Sequence, residues 1–130
     1  MSVGLTGADL SHHDPSSSAV VNAFRTRLDT LGGNPGGGRG GRGGGGRAPA
    51  PSFYSVHARS VGQLTAQDNG DLAPNEPMLQ GYGASCRDLA NVVSAWAMLN
   101  AKELPVINAA LVKGGHSPLP RAAGVSSPKC

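Results

Sequence analysis

The sequence predicts a mainly α-helical chain: a small helical bundle or helical hairpin of three to four helices, with a long disordered Gly/Arg-rich linker. Three observations carry this. Larger side chains at Leu79, Tyr82, Cys86, Leu89, Val93 and Trp96 follow one another at intervals of three, four, three, four and three, which draws one apolar stripe along an α-helix. Residues 32–51 hold eleven glycines and three arginines, a run that loses much backbone entropy on ordering and buries little in return. The β-branched pairs Val20-Val21 and Val106-Ile107 both sit inside helical patterns, so no stretch reads as a strand.

Taken in order, residues 1–13 are small and polar and read as a frayed end. Asp14-Pro15 reads as a helix entry, with Asp14 as N-cap and Pro15 in the first turn. Val20 or Val21, Phe24, Leu28 and Leu31 follow at helical spacing, with Arg25 and Arg27 flanking them. Gly32-Gly33 ends this helix and Pro35 forbids its return, so the N-terminal tail and helix occupy 1–31. The linker, 32–51, closes on a stiffer Pro49-Ala50-Pro51.

The helical module spans 52–115. Ser52 can cap a second helix, in which Phe53, Val56, Val61 and Leu64 lie near one face beside His57 and Ser60. Asp68-Asn69-Gly70 stops it. Asn75 can cap a third helix over 76–102, with Glu76 at its positive end and Pro77 in its first turn. Pro105 is expected to break that helix and start a fourth over 105–113, where Ile107 and Leu111 continue the apolar face until Gly114-Gly115. Residues 116–130 carry three further prolines and read as a disordered tail.

The 130 residues bound the chain to one domain at most, and the aromatic complement is only Phe24, Phe53, Tyr54, Tyr82 and Trp96. Such a core is modest and built on Leu, Val, Ile and Ala. The net charge is +3, from eleven Lys and Arg against eight Asp and Glu. Three of the basic residues, Arg39, Arg42 and Arg47, lie in the linker, and the rest balance eight against eight. Attraction to a polyanion therefore belongs to the linker, not to the helices.

Four features bear on chemistry. The linker holds two tandem Arg-Gly-Gly triplets, Arg39 to Gly44, a composition that can bind RNA through phosphate contacts and stacking. With three arginines and no interleaved aromatic, the salt slope would be only about −2 to −3 and the binding weak. A spacer role is favoured. His12-His13-Asp14 lacks the further ligands that a metal site needs. Cys86 as a nucleophile lacks a recognisable base, since Arg87 and Asp88 project away from its face and only His57 could approach. Cys86 reads first as a small core residue, and a bridge to Cys130 is disfavoured by the expected mobility of the tail. The linker also lacks the strand–loop–helix setting and the Gly-Lys-Ser/Thr of a phosphate-binding loop. The expectation is no enzyme, no cofactor and no metal.

The remaining feature is the stripe itself. Leu79, Tyr82, Leu89, Val93, Trp96, Ile107 and Leu111 form a face that can be a docking surface for a protein partner or homo-oligomer, the internal core of a bundle, or both. No stretch approaches the length of a membrane span, and no secretory signal opens the sequence. The expected location is the cytoplasm, unless the chain is a fragment of a longer secreted protein.

From Asp71 to Leu119 the order is a turn with Ala73-Pro74, then an alanine-rich helix with Trp96. Leu99, Glu103-Leu104-Pro105-Val106-Ile107-Asn108-Ala109-Ala110-Leu111, the glycine pair and Pro118-Leu119 follow. This resembles the helical C-terminal tail of bacterial sortilin-like, BNR-repeat β-propeller proteins, commonly labelled glycosyl hydrolases. Residues 52–70 could be the preceding helix of that tail. In the family an Ala-Pro-Thr turn opens the long helix, and here Asn75 takes the threonine's place. The resemblance implies a helical appendage packed beside a propeller. The propeller's Asp-box repeats are absent from this sequence, so no catalytic residue carries over, and a hydrolase activity would have to lie outside the chain.

Overall fold

The computed structural model describes residues 15–33, 50–70 and 73–130. Four α-helices follow in chain order: α1 (Pro15–Gly32), α2 (Phe53–Asp68), α3 (Glu76–Met98) and α4 (Leu104–Lys113). A π-helical segment, Leu99–Glu103, joins α3 to α4. No strand occurs among the described residues, so the chain is mainly helical as its pattern predicts. The expected frayed end, the His12-His13-Asp14 cluster, the Asp14 cap and most of the linker lie outside the described residues.

The ends of the helices follow from their side chains. Ser52 Oγ accepts from the Ser55 amide at 3.1 Å, and Ser55 Oγ accepts from the Ser52 amide at 2.9 Å. This reciprocal box satisfies two amides that have no partner inside α2. Asn75 Oδ1 accepts from the Met78 amide at 3.0 Å, and Pro77 falls in the first turn of α3, where a missing N–H costs nothing. Gly33 ends α1 with φ +77° and donates to the Asp29 carbonyl at 2.9 Å. Gly115, also at φ +77°, ends α4 in a double closure. Its amide donates to the Val112 carbonyl at 3.0 Å, and the His116 amide to that of Leu111 at 2.8 Å.

Pro105 does not break the helix. The backbone stays right-handed helical from Met98 through Leu104, and the Leu104 amide reaches back five residues to the Leu99 carbonyl. A proline inside a regular α-helix clashes with the carbonyl four residues before it. The wider π turn immediately before Pro105 relieves that clash, so a continuous helical run carries the chain from Glu76 to Lys113.

Packing divides along this run. α2 lies against α3, while α1 lies against α4 and the end of α3. Phe24, Leu99, Leu104 and Ile107 form the buried cluster, with Leu28, Leu31, Trp96 and Leu111 packed partly buried around it. Arg27 of α1 forms an ion pair with Glu103 over the π segment. On the α2 side Val56, Val92 and Val93 are buried. The two sides meet at the end of α1. A Cβ at Gly33 would stand 2.9 Å from Tyr54 Cβ and 3.0 Å from Ser52 Cβ, so the start of α2 packs directly on the α1 terminus.

Candidate interaction surface

The seven residues expected to form a docking face are mostly occupied within the chain. Val93 and Ile107 are buried, and Tyr82, Leu89, Trp96 and Leu111 are half-buried. Trp96 and Leu111 pack on the Phe24 cluster. Tyr82 turns its hydroxyl to Gln67 Oε1 at 2.8 Å, which ties the phenol to α2. Of the seven, Leu79 at 50% is the exposed one. Most of this stripe is therefore internal core.

α2 meets α3 with polar side chains. Ser85 Oγ donates to Gln63 Oε1 at 3.1 Å, and Arg59 pairs with Asp88 at 2.8 Å. With the Tyr82–Gln67 bond these contacts step along the two helices in opposite directions, which makes them antiparallel neighbours. The absence of a side chain at Gly81 admits the Gln63 amide, whose Nε2 would lie 3.1 Å from a Cβ there.

The opposite side of α2 carries three exposed large apolar side chains beside the polar His57, Thr65 and Asp68. Tyr54, Val61 at 47% and Leu64 at 62% are exposed. Spacings of seven and three residues set them on one face of the helix. Phe53, Val56, Val61 and Leu64 are therefore not one buried face: Val56 is buried, Phe53 half-buried, and Val61 and Leu64 turn outward. At 100° per residue, Val56, Gln63 and Gln67 fall together, and Val61 lies well away from them. No signal in the hydrophobic pattern marks this reversal, because the pattern favours the apolar side as the inner one.

Cys86 is bonded to Cys130, with Cα atoms 5.8 Å apart. The bridge disfavoured from sequence is present, and Cys86 holds no free thiol for nucleophilic work. His57 is exposed on α2. Among the described residues no group of three or more His, Cys, Asp or Glu stands together to hold a metal. Nor is any described helix long and apolar enough to cross a membrane. Arg39, Arg42 and Arg47 lie outside the described residues.

Beyond the α4 closure, the tail is held to the helices at Leu119 and at Cys130. Asn108 of α4 donates from Nδ2 to the Leu119 carbonyl at 3.0 Å and accepts the Leu119 amide on Oδ1 at 2.7 Å. The disulfide then fixes Cys130 to α3. The tail expected from its prolines to be disordered is thus joined to the helices at Leu119 and at Cys130. From sequence alone the bridge to Cys130 is disfavoured and Asn108 has no role. The even cysteine count was the available signal for Cys130, and nothing in the sequence marks Asn108.

No family model matches the chain, and neither the curated proteins nor the solved structures contain a significant match to it.

Proposed function

We propose that the chain is a non-catalytic helical interaction module whose docking surface is the outward stripe of α2, Tyr54, Val61 and Leu64. One observation carries this reading: α2 turns Gln63 and Gln67 toward α3 and its apolar side chains toward solvent. Burial of a Leu or Val side chain gains about 1.5–3 kcal/mol, a gain this helix forgoes in the isolated chain. A protein partner with an apolar surface supplies it. The likeness of residues 52–119 to a propeller appendage supports the same reading, since such an appendage offers a face to a larger neighbour. The Cys86–Cys130 bond favours an oxidising compartment over the cytoplasm, the location expected from the sequence, because the cytoplasm keeps thiols reduced.

Light scattering over a wide range of concentration, together with binding of a hydrophobic dye, tests the surface. The wild-type chain is expected to bind dye or self-associate, and Leu64→Glu with Val61→Glu to reduce both while the helical circular dichroism is unchanged. A wild-type chain that stays monomeric and dye-free throughout would show a self-contained bundle.

A further inference from the structure

Residues 114–130 carry no helix or strand, yet they are not free of the body. Leu119 is paired to Asn108 on α4, and Cys130 is bonded to Cys86 on α3. The two anchors differ in kind. The first consists of two hydrogen bonds at an exposed position, each worth only about 0.5–1.5 kcal/mol net. The second is covalent. Cys86 is half-buried on α3, whereas Cys130 is exposed. Exposure makes a disulfide sulfur accessible to an attacking thiolate.

We propose that the Cys86–Cys130 bond is a redox-operated clasp: it straps residues 120–130 from α4 back to α3, and a dithiol reductant releases them while the helices stay folded. A reductant thiolate attacks Cys130 Sγ and breaks the S–S bond, and Cys86 departs as a thiolate that takes up a proton. The second thiol of the reductant then attacks the mixed disulfide and frees Cys130 as a thiol. Two electrons and two protons pass to the protein, and the reductant is left as its own disulfide. The packing of α1 on α4 is built without the strap, because the buried cluster Phe24, Leu99, Leu104 and Ile107 involves neither cysteine nor any residue after α4. Release frees the strap and uncovers the Cys86 side chain. This holds whether or not the α2 stripe is a docking surface.

The full chain, oxidised and then treated with dithiothreitol, tests the clasp by iodoacetamide mass shift, far-UV circular dichroism and backbone ¹⁵N relaxation. The oxidised protein is expected to take up no label and the reduced protein two. Order parameters over residues 120–130 should fall from the rigid range near about 0.85 to below about 0.6, with the helical signal unchanged. Cys130→Ser, a change at an exposed position, should give the released tail with or without reductant. Two reactive thiols in the oxidised preparation would overturn the proposal. So would a tail equally rigid after reduction, or helices that melt with the bond.

Discussion

The buried Ser85 hydroxyl of α3, 5% exposed, donates to Oε1 of Gln63 on α2 at 3.1 Å. This bond explains how a polar side of α2 can face inward. A buried hydroxyl without a partner costs about 1–3 kcal/mol, and Gln63 removes that cost. In return the glutamine amide lies in the space left by Gly81. Gln63→Ala should therefore destabilise the chain by about 1–3 kcal/mol. Adding Ser85→Ala should recover part of the loss, because no hydroxyl is then left unpaired. A urea-denaturation double-mutant cycle measures this coupling. Strictly additive losses would show that the two side chains do not act as a pair.

The two glycines at the end of α1 should respond in opposite directions to alanine. Gly33 has φ +77°, and a Cβ there would collide with Ser52. Gly33→Ala is expected to cost at least about 1–2 kcal/mol from the backbone alone. Gly32 has nothing within 4 Å of its would-be Cβ and lies within the helix. Gly32→Ala should stabilise by up to about 1 kcal/mol. Thermal melts of the two variants check the contrast, and a loss of similar size in both would remove the special role of Gly33.

What the sequence makes legible is local chemistry. The Ser52 and Asn75 caps and the glycine closures of α1 and α4 are readable because each depends on one residue type next to a helix end. The continuity through Pro105 is not, because it rests on a π turn whose hydrogen bonds leave no compositional trace. Nor is the facing of α2: Val61 and Leu64 suggest burial, but the partners that α3 offers, the hydroxyls of Tyr82 and Ser85 and the Asp88 carboxylate, turn the face of Val56, Gln63 and Gln67 inward. The apolar stripe of α3 is legible as a stripe. Its neighbours are not, so the choice between core and docking surface stays open until α1 is seen packed on Trp96 and Ile107.

Phe24 should matter more than Trp96, although tryptophan is the larger residue. Phe24 is one of the four buried members of the cluster, whereas Trp96 is half-buried and packs against it. Phe24→Ala is expected to cost about 3–5 kcal/mol, the usual range for a buried aromatic. Trp96→Ala should cost less, because part of its ring is already in water. Equilibrium unfolding in urea, followed by circular dichroism to avoid dependence on the tryptophan signal, ranks the two. A larger loss for Trp96 would place the centre of the core on α3 rather than between α1 and α4.

Asn108 holds Leu119 as a neighbouring strand would, giving one donor and one acceptor to the same residue. Asn108→Asp keeps the acceptor for the Leu119 amide and loses the donor to its carbonyl; Asn108→Ala loses both. Each bond is solvent-exposed, so the global cost should be at most about 0.5–1.5 kcal/mol per bond. The local effect should be much clearer. Exchange of the Leu119 amide is expected to accelerate strongly in the alanine variant and only slightly in the aspartate variant, with the amides of α4 unchanged. Equal acceleration in both would mean that the carbonyl contact, not the amide contact, holds this part of the tail.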